Sequence, residues 1–335
     1  MPTVSSRGTG LASSSDGRRL VWAEPGRLVV LDLAERTQLA ELELELEPPV
    51  ELAIAGTTSE RLLALQAKGG GTLMRVFALP DLRPLVNVRL RGESRLAALC
   101  GSSAVLVAGD VVTIVDLAEL RTATLPVRGP IQVIAQMSAE QLLVGSRGKL
   151  EAWSLDERRP THKVGLPLPA DAAFGGTLSN GRLFWFASAV EPGTVTLYRI
   201  SDGKHLHDVT AGGPIKAIVA DPASTTVVAA VEVERGKPLQ LVVLDLQAQT
   251  RHVLPFDGAV SAFCLTGAPV DAVAIRGEQG EPVLVPLAAN AVPQSLTSFT
   301  KVPLLEESAA PVVAETEAPS KPNTSRIPQA VPAPR

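Results

Sequence analysis

One hydrophobic segment recurs seven times along this chain of 335 residues, and its spacing constrains the fold more than any other feature. The seven copies are VVLDL (29–33), RVFAL (75–79), TIVDL (113–117), EAWSL (151–155), TLYRI (196–200), VVLDL (242–246) and VLVPL (283–287). Their centres are about 38 to 46 positions apart. A repeat of that length, made of short β-type runs, is typical of a β-propeller. We therefore predict an all-β fold, a seven-bladed β-propeller with four antiparallel strands per blade.

Each repeat divides into four short strands, which we call a to d from the central channel outward, and the recurrent segment is strand c. In blade 2 the predicted strands are 49–56, 61–67, 72–79 and 84–90. In blade 4 they are 131–137, 141–147, 149–155 and 161–166. A glycine precedes the centre of every strand c, where the b–c hairpin must reverse and positive φ is favourable. These glycines are Gly26, Gly71, Gly109, Gly148, Gly193, Gly236 and Gly280.

Residues 10–33 carry a more specific signal, a Ser-Asp-Gly turn between strands a and b. At the third and fourth positions of strand c, where WD-repeats have Trp-Asp, three copies keep the aspartate (Asp32, Asp116 and Asp245) and one keeps a tryptophan, Trp153. The chain resembles a degenerate bacterial WD-repeat protein, and quinoprotein-like and YVTN-type seven-bladed repeats almost as well. The resemblance implies the propeller fold and specifies no ligand. The Gly-His pair of WD-repeats is missing from this sequence, so their His–Asp network is not expected.

We predict two regions, a propeller over 1–305 and a Pro/Ala-rich disordered tail over 306–335. The tail has six prolines and no aromatic residue, too little apolar surface to offset the entropy of ordering. Two ways of closing the ring stay open. Either every blade is contiguous, with 8–13 as the first strand and 292–299 as the last, or 300–305 completes a blade from the other end of the chain.

Composition excludes several classes of function. The net charge of −4 and the pI near 5.7 argue against a nucleic-acid binder. No apolar run approaches the roughly 20 residues that span a bilayer, and the first ten residues lack the apolar region of a secretory signal. We therefore expect a cytoplasmic protein that makes no contact with membranes. The excess of arginine over lysine, with much alanine and leucine, indicates a GC-rich bacterial genome.

The two cysteines, Cys100 and Cys264, fall on the predicted innermost strands of blades 3 and 7. Those strands are not neighbours in a seven-bladed ring, and Cα atoms more than about 7 Å apart cannot be bridged. We expect both to be reduced thiols that pack as small hydrophobic groups.

The sequence contains no pattern typical of an active site. GxSxG and GxxxxGK[ST] motifs are missing from it. His205 and His207 are two apart on a predicted strand d and so should point to one face, but a metal normally needs three or four ligands. The predicted a strands are largely apolar, with Glu51, Gln132, Asp171 and Lys216 as exceptions. We therefore predict no enzyme activity, no metal and no cofactor.

One surface is a candidate for recognition. The b–c hairpins and d–a connections open on the same face of a propeller, and basic residues outnumber acidic ones there. The candidate partner-binding residues are Arg91, Arg128, Arg147, Lys149, Arg235, Lys237 and Arg276. We predict a non-catalytic protein–protein interaction scaffold, monomeric on its own, and the basic bias of this face favours an acidic protein partner. The alternatives are a small-ligand or metabolite sensor that uses the central channel, and a propeller-type hydrolase or oxidoreductase.

Overall fold

The computed structural model describes residues 10–45, 50–56, 59–166, 168, 172–188, 193–256, 258–267, 270–277, 282–288, 292–296 and 300–301. Over these residues the chain forms seven blades of four antiparallel strands and no α-helix, which confirms the predicted seven-bladed β-propeller. It follows that, in the described part of the chain, no helix is long and apolar enough to cross a membrane. The predicted tail, 306–335, lies outside the described residues.

The strands follow one another along the chain, blade by blade. Blades 1 to 3 contain β1 Leu11–Ser13, β2 Arg19–Glu24, β3 Arg27–Asp32, β4 Thr37–Glu43; β5 Val50–Ala55, β6 Arg61–Lys68, β7 Gly71–Ala78, β8 Arg83–Arg91; β9 Arg95–Cys100, β10 Ser103–Ala108, β11 Val111–Asp116 and β12 Arg121–Leu125. Blades 4 and 5 contain β13 Ile131–Gln136, β14 Gln141–Ser146, β15 Lys149–Ser154, β16 Arg159–Val164; β17 Ala172–Leu178, β18 Leu183–Ser188, β19 Thr194–Arg199 and β20 His205–Thr210. Blades 6 and 7 contain β21 Ile215–Ala220, β22 Thr226–Val231, β23 Gln240–Asp245, β24 Thr250–Val253; β25 Val260–Gly267, β26 Val270–Gly277, β27 Val283–Pro286 and β28 Gln294–Ser295. A further strand, β29 Thr300–Lys301, follows blade 7.

The middle strands of each blade are buried on both faces because each sheet is covered by its two neighbours. In β2 and β3, for example, the consecutive residues 20–23 and 28–32 are all buried. One face of blade 1 packs on blade 2 through Leu28, Val30, Leu52 and Phe77. Burial on both faces removes the need for apolar and polar residues to alternate, and this is why the recurrent segments are continuous hydrophobic runs.

The aspartates that occupy the Trp-Asp position of strand c cap the c–d turns. Asp32 accepts hydrogen bonds from the amides of the residues two and three positions later, at 3.0 and 2.9 Å. Asp116 and Asp245 do the same in blades 3 and 6, at 2.8 to 3.1 Å. Each turn then needs one residue with positive φ, Arg36 (52°), Leu120 (56°) and Gln249 (55°) respectively. Asp side chains favour such turns, and that role accounts for these aspartates.

The ring closes with contiguous blades and one added strand. Blade 7 is built from β25 to β28, and strand β29 pairs in parallel with the outer strand of blade 1, with Thr300 opposite Thr37 and Lys301 opposite Gln38. Part of the predicted 300–305 strand therefore exists, but it widens blade 1 and completes no other blade. The last strand of blade 7 is only Gln294–Ser295, shorter than predicted, and strand d of blade 4 begins two residues earlier than predicted.

The cysteines lie as predicted, Cys100 on the innermost strand of blade 3 and Cys264 on that of blade 7, and both are free thiols. Burial raises the pKa of each thiol to about 12. For Cys264 a hydrogen bond with Ser13 of blade 1 opposes the rise. Both side chains therefore stay protonated and unreactive near neutral pH.

Candidate partner-binding face

The loop face, which comprises the b–c hairpins and the d–a connections, carries six of the seven predicted cations in exposed positions. These are Arg91 at the end of β8, Arg128 between β12 and β13, Arg147 and Lys149 around the β14–β15 turn, and Arg235 and Lys237 between β22 and β23. None of the six forms a salt bridge with another described residue. Within the part of the chain that the structure describes, no salt bridge therefore neutralises these positive charges.

Three of these cations are brought together on blade 4, and we call Arg128, Arg147 and Lys149 the blade-4 patch. Ser146 Oγ donates to the carbonyl of Arg128 over 3.0 Å, which ties the d–a connection to the b–c hairpin. The side chain of Arg147 crosses Gly129 so closely that a Cβ there would lie 2.2 Å from its Nε. The d–a connection and the b–c hairpin that carry these three residues are thus in contact with each other.

A β-bulge in strand a of blade 4 provides a side chain that binds this hairpin. Ile131 pairs with Ser146 and Val133 pairs with Gly145, so Gln132 is the extra, unpaired residue. Its side chain Oε1 accepts a hydrogen bond from the amide of Gly148 over 2.9 Å. A bulge turns a side chain away from the regular pleat, and here it directs the amide group at its own b–c turn.

A β-bulge at the second residue of strand a also occurs in blades 6 and 7. The bulged residue of blade 6 is Lys216, whose Nζ lies 2.6 Å from Glu232 Oε2 just after strand b. In blade 7 it is Ser261, which donates to the carbonyls of Arg276 and Gly277 at 3.1 and 2.7 Å. The hydrogen bond from Lys216 lowers the pKa of Glu232. Residues one position inside strand a therefore anchor the loop face.

These bulges explain two of the four polar residues that interrupt the a strands. Gln132 and Lys216 each bind their own blade, and a carboxylate oxygen of Glu51 accepts the amide of Leu96 in the next blade over 2.7 Å. Asp171, the fourth of these residues, lies outside the described residues. Three of the four groups thus have partners within the chain.

The b–c loop of blade 6, residues 232–239, is longer than the two-residue turns of blades 1 to 4. It carries Arg235, Lys237 and Val233, whose surface is 46% exposed. Arg235 also contributes to the lowered pKa of Glu232, after the larger effect of Lys216. The charges of this loop are mixed, because Glu232 and Glu234 lie beside Arg235 and Lys237 in the sequence.

Arg276, the seventh predicted residue, lies at the junction of blades 7 and 1. Its Nη1 donates to the carbonyl of Ala23 in blade 1, and its side chain is only partly exposed. Arg89, which the sequence reasoning missed, lies on the loop face instead. Its Nη2 donates to the carbonyls of Lys68 and Gly69 at 3.0 and 2.7 Å and so closes the glycine-rich hairpin of blade 2.

The histidines of blade 5 point in different directions, and the prediction that His205 and His207 share a face is wrong. Tyr198 pairs with His205 and Leu197 with His207, which leaves Leu206 as an extra residue in a bulge. His205 Nε2 contacts Asp208 Oδ2 at 3.1 Å, while Nδ1 of His207 accepts from Gln249 Nε2 of blade 6 at 3.0 Å. No group of three potential metal ligands occurs among the described residues.

Comparison with known proteins finds similarity of fold alone. No protein-family model matches the chain, and no curated protein matches it by sequence. Among solved structures, a chain of the mitotic checkpoint complex has a TM-score of 0.60 at 10% identity, covering 86% of this chain and 93% of that one. Hydrazine synthase of Kuenenia stuttgartiensis has a TM-score of 0.60 at 11% identity, covering 85% and 97%.

Dihydro-heme d1 dehydrogenase NirN, in complex with DHE, has a TM-score of 0.57 at 16% identity. That match covers 85% of this chain and 66% of the NirN chain, so this chain spans about two thirds of its length. Two of these three structures are named as enzymes and one is a chain of a multi-protein complex. Since one fold hosts many functions, the likeness gives no activity to this chain.

Proposed function

We propose that this chain is a non-catalytic interaction scaffold whose blade-4 patch binds an acidic segment of a partner protein. The observation that carries the proposal is the set of three exposed cations, Arg128, Arg147 and Lys149, without a salt bridge to any described residue. Hydrogen bonds from Ser146 and to Gln132 fix the loops on which they lie. A preorganised group of like charges favours association with a segment of opposite charge.

Other cations support the proposal by contrast. Arg18, Arg27, Arg159 and Arg199 each have a carboxylate within 2.6 to 2.9 Å, so their charges are locally neutralised. The net charge of the chain is −4, so an acidic partner is repelled by the molecule as a whole and attracted by the patch. Such an arrangement selects where the partner docks more than how tightly it binds.

The proposal of no catalysis rests on the polar groups of the a strands. Glu51, Gln132 and Lys216 are occupied by contacts within the chain, so they are poor candidates for a channel ligand or an acid–base pair. This favours a scaffold over a channel sensor, a hydrolase or an oxidoreductase. The membership of a similar chain in the mitotic checkpoint complex is in line with protein partners. A cytoplasmic location, a bacterial source and a monomeric state stay predictions.

The test is partner capture with charge-reversed variants. The triple variant Arg128→Glu, Arg147→Glu and Lys149→Glu is compared with Arg83→Glu, Arg121→Glu and Arg182→Glu, which changes the same charge on exposed residues of the opposite face. After crosslinking from source lysate, the captured partner is purified and its Kd is measured with each protein at low and high salt.

We expect the patch variant to bind at least about tenfold more weakly, equivalent to 1.4 kcal/mol, and to lose most of the salt dependence. The control variant should bind like the unaltered protein. Equal binding by both variants would reject the patch as the site. Turnover of a small molecule by the purified chain, abolished by substitution of a strand-a residue, would reject the scaffold itself.

A further inference from the structure

Arg147 occupies a turn position that favours glycine. The b–c turns of blades 2, 3 and 4 each reverse over two residues, and the first of the two has positive φ: Gly69 with 57°, Gly109 with 60° and Arg147 with 52°. Glycine and asparagine adopt this conformation readily, whereas a longer side chain does so at an energetic cost. Among the described residues, Arg147 is the one residue other than glycine with positive φ on the loop face. The arginine therefore costs this hairpin stability that a glycine would not.

The side chain of Arg147 follows a defined path across the neighbouring loop. It crosses Gly129 of the d–a connection, where a Cβ would meet its Nε and would lie 3.0 Å from Cζ and 3.1 Å from Cδ. Gly129 also has a φ of 89°, so its conformation favours glycine as well as the space around it. The lack of a side chain at Gly129 therefore permits the position of the Arg147 guanidinium.

The guanidinium of Arg147 differs from those of other arginines that lie against a glycine of the loop face. There are three such arginines, Arg89, Arg251 and Arg276. Each of them donates to a backbone carbonyl, and this hydrogen bond accounts for its position. Arg147 is exposed and forms neither a hydrogen bond nor a salt bridge with another described residue. Internal hydrogen bonding to the described residues therefore does not explain why Arg147 is held across the loop.

A guanidinium that is positioned without an internal acceptor is suited to bind an anion from another molecule. Its parallel N–H groups match the two oxygens of a carboxylate, and a group that is positioned before binding loses less side-chain entropy. We propose that Arg147 is the anchor of the blade-4 patch and binds a side-chain carboxylate of the acidic segment through two N–H groups, a role that rests on the proposed function of the patch. Gly129 is the positioning residue for this guanidinium.

The first experiment separates binding from stability at the turn. The probe is a fluorescently labelled, capped hexaglutamate, with capped hexaglutamine as its neutral counterpart, and binding is followed by fluorescence anisotropy at low salt. Arg147→Asn places asparagine before Gly148, the pair that two-residue hairpin turns favour. We expect an unchanged or higher melting temperature together with an affinity for hexaglutamate that is at least about tenfold weaker. A side chain with a merely structural role would not lose binding while the fold gains stability.

Arg147→Lys asks whether the shape of the cation matters as well as its charge. Lysine keeps the positive charge, but its ammonium cannot bind both oxygens of a carboxylate in parallel as a guanidinium does. We expect the Kd for hexaglutamate to rise at least about threefold, between the values for the unaltered protein and for Arg147→Asn. An unchanged Kd would overturn the two-point contact, because a point charge would then be sufficient.

Gly129→Ala tests the positioning role without changing any charge. The added methyl group displaces the Arg147 side chain, so the Kd should rise at least about fivefold. In the Arg147→Asn background the same substitution should cause no further loss, because no guanidinium remains to be displaced. The matched control is Gly26→Ala, which also lies on the loop face. Gly26 has a φ of 85°, and a Cβ there meets no atom within 4 Å, so the control adds similar backbone strain and should leave the Kd unchanged.

Failure of the anchor and failure of the scaffold give different results. If the triple charge-reversed variant loses the captured partner while Gly129→Ala and Arg147→Asn bind hexaglutamate like the unaltered protein, the patch remains the site and Arg147 is not its anchor. If the triple variant keeps the captured partner, the proposed function itself is rejected. Equal binding of hexaglutamate and hexaglutamine would overturn the anchor, as would no saturable binding at millimolar hexaglutamate. Equal losses from Gly129→Ala and Gly26→Ala would overturn the positioning role.

Discussion

Arg18 Nε lies 2.8 Å from Asp32 Oδ2, so the first a–b turn closes on the aspartate that ends strand c of the same blade. The side chain of Asp32 is 5% exposed and also accepts the amides of Ala34 and Glu35. Asp116 has the same place in blade 3 and caps its turn through two amides, without a salt bridge to a described residue. Asp32 therefore caps a turn and also forms a buried ion pair, whereas Asp116 caps a turn without an ion pair to a described residue.

Replacing these aspartates should cost different amounts of stability. Asp32→Ala removes a charged, buried acceptor of three hydrogen bonds and should lower the free energy of unfolding by about 2–3 kcal/mol. Asp116→Ala removes a half-buried turn cap without an ion pair to a described residue and should cost about 1 kcal/mol. Urea unfolding of both variants measures the difference. Equal costs would mean that the Arg18 contact contributes nothing.

Stability should also depend on pH through Asp32. Burial raises the pKa of this carboxyl, but hydrogen bonds from the Glu35 amide and from Arg18 outweigh it, and the pKa in the folded state is lowered. A lowered pKa favours the folded state above the ordinary value near 4, and this contribution is lost as the pH falls through the folded value. Asp32→Asn should flatten the acid limb of the stability curve, as urea unfolding at several pH values would show.

Glycine at the junction of blades 1 and 7 should be far less replaceable than glycine in an open hairpin. Gly17 and Gly26 both have positive φ, 68° and 85°, but a Cβ on Gly26 meets no atom within 4 Å. Gly26→Ala should cost about 1–2 kcal/mol from backbone strain alone. Gly17→Ala adds a clash with Gly267 and should lower the melting temperature by clearly more than Gly26→Ala. Similar melting temperatures would contradict the close approach of the two backbones.

The two thiols should not react with thiol reagents in the folded protein. With each pKa raised to about 12 by burial, neither Cys100 nor Cys264 offers thiolate to a reagent at pH 8. A thiol assay should detect both only after denaturation. Because the unfolded thiols ionise near pH 8.5, stability should fall as the pH rises above that value. Rapid labelling of either cysteine in native protein would show that the innermost strands open.

Strand β29 should protect the outer edge of blade 1. A chain that ends at Leu296 lacks Thr300 and Lys301, and the amides near Thr37 and Gln38 should exchange with solvent faster than in a chain that ends at Val302. The outer strand of blade 3, β12, gains no such partner among the described residues and is the internal control. Unchanged exchange at blade 1 would show that the parallel pairing adds no stability.

The strand order was predictable because it is repeated. Strand c begins or ends within about two residues of its predicted position in every blade, since each copy must be buried between two neighbouring sheets. Most predicted hairpin glycines have positive φ in the structure, Gly26, Gly109, Gly148, Gly193 and Gly236 among them. Gly71 instead begins β7, with Gly69 and Gly70 in the turn, and Gly280 lies outside the described residues.

The bulges and the junction of blades 1 and 7 were not predictable from local pattern. One extra residue in strand d of blade 5 turns His207 away from His205, and no composition signal marks Leu206 as that residue. The exposed position of six cations followed from the order of strands, but the burial of Arg276 against Ala23 depends on residues 253 positions apart. The close approach of Gly17 to Gly267 is a second long-range contact between the same two blades.

Parallel pairing of β29 with β4 sets an order of events during synthesis on the ribosome. Thr37 and Gln38 emerge early, while their partners Thr300 and Lys301 are translated after all seven blades. The outer edge of blade 1 therefore stays unpaired while the rest of the chain is translated. An exposed strand edge can pair with the strands of other chains. The pairing of β29 with this edge can form only after residues 300–301 have been translated, so a nascent chain stalled before residue 300 still exposes the edge.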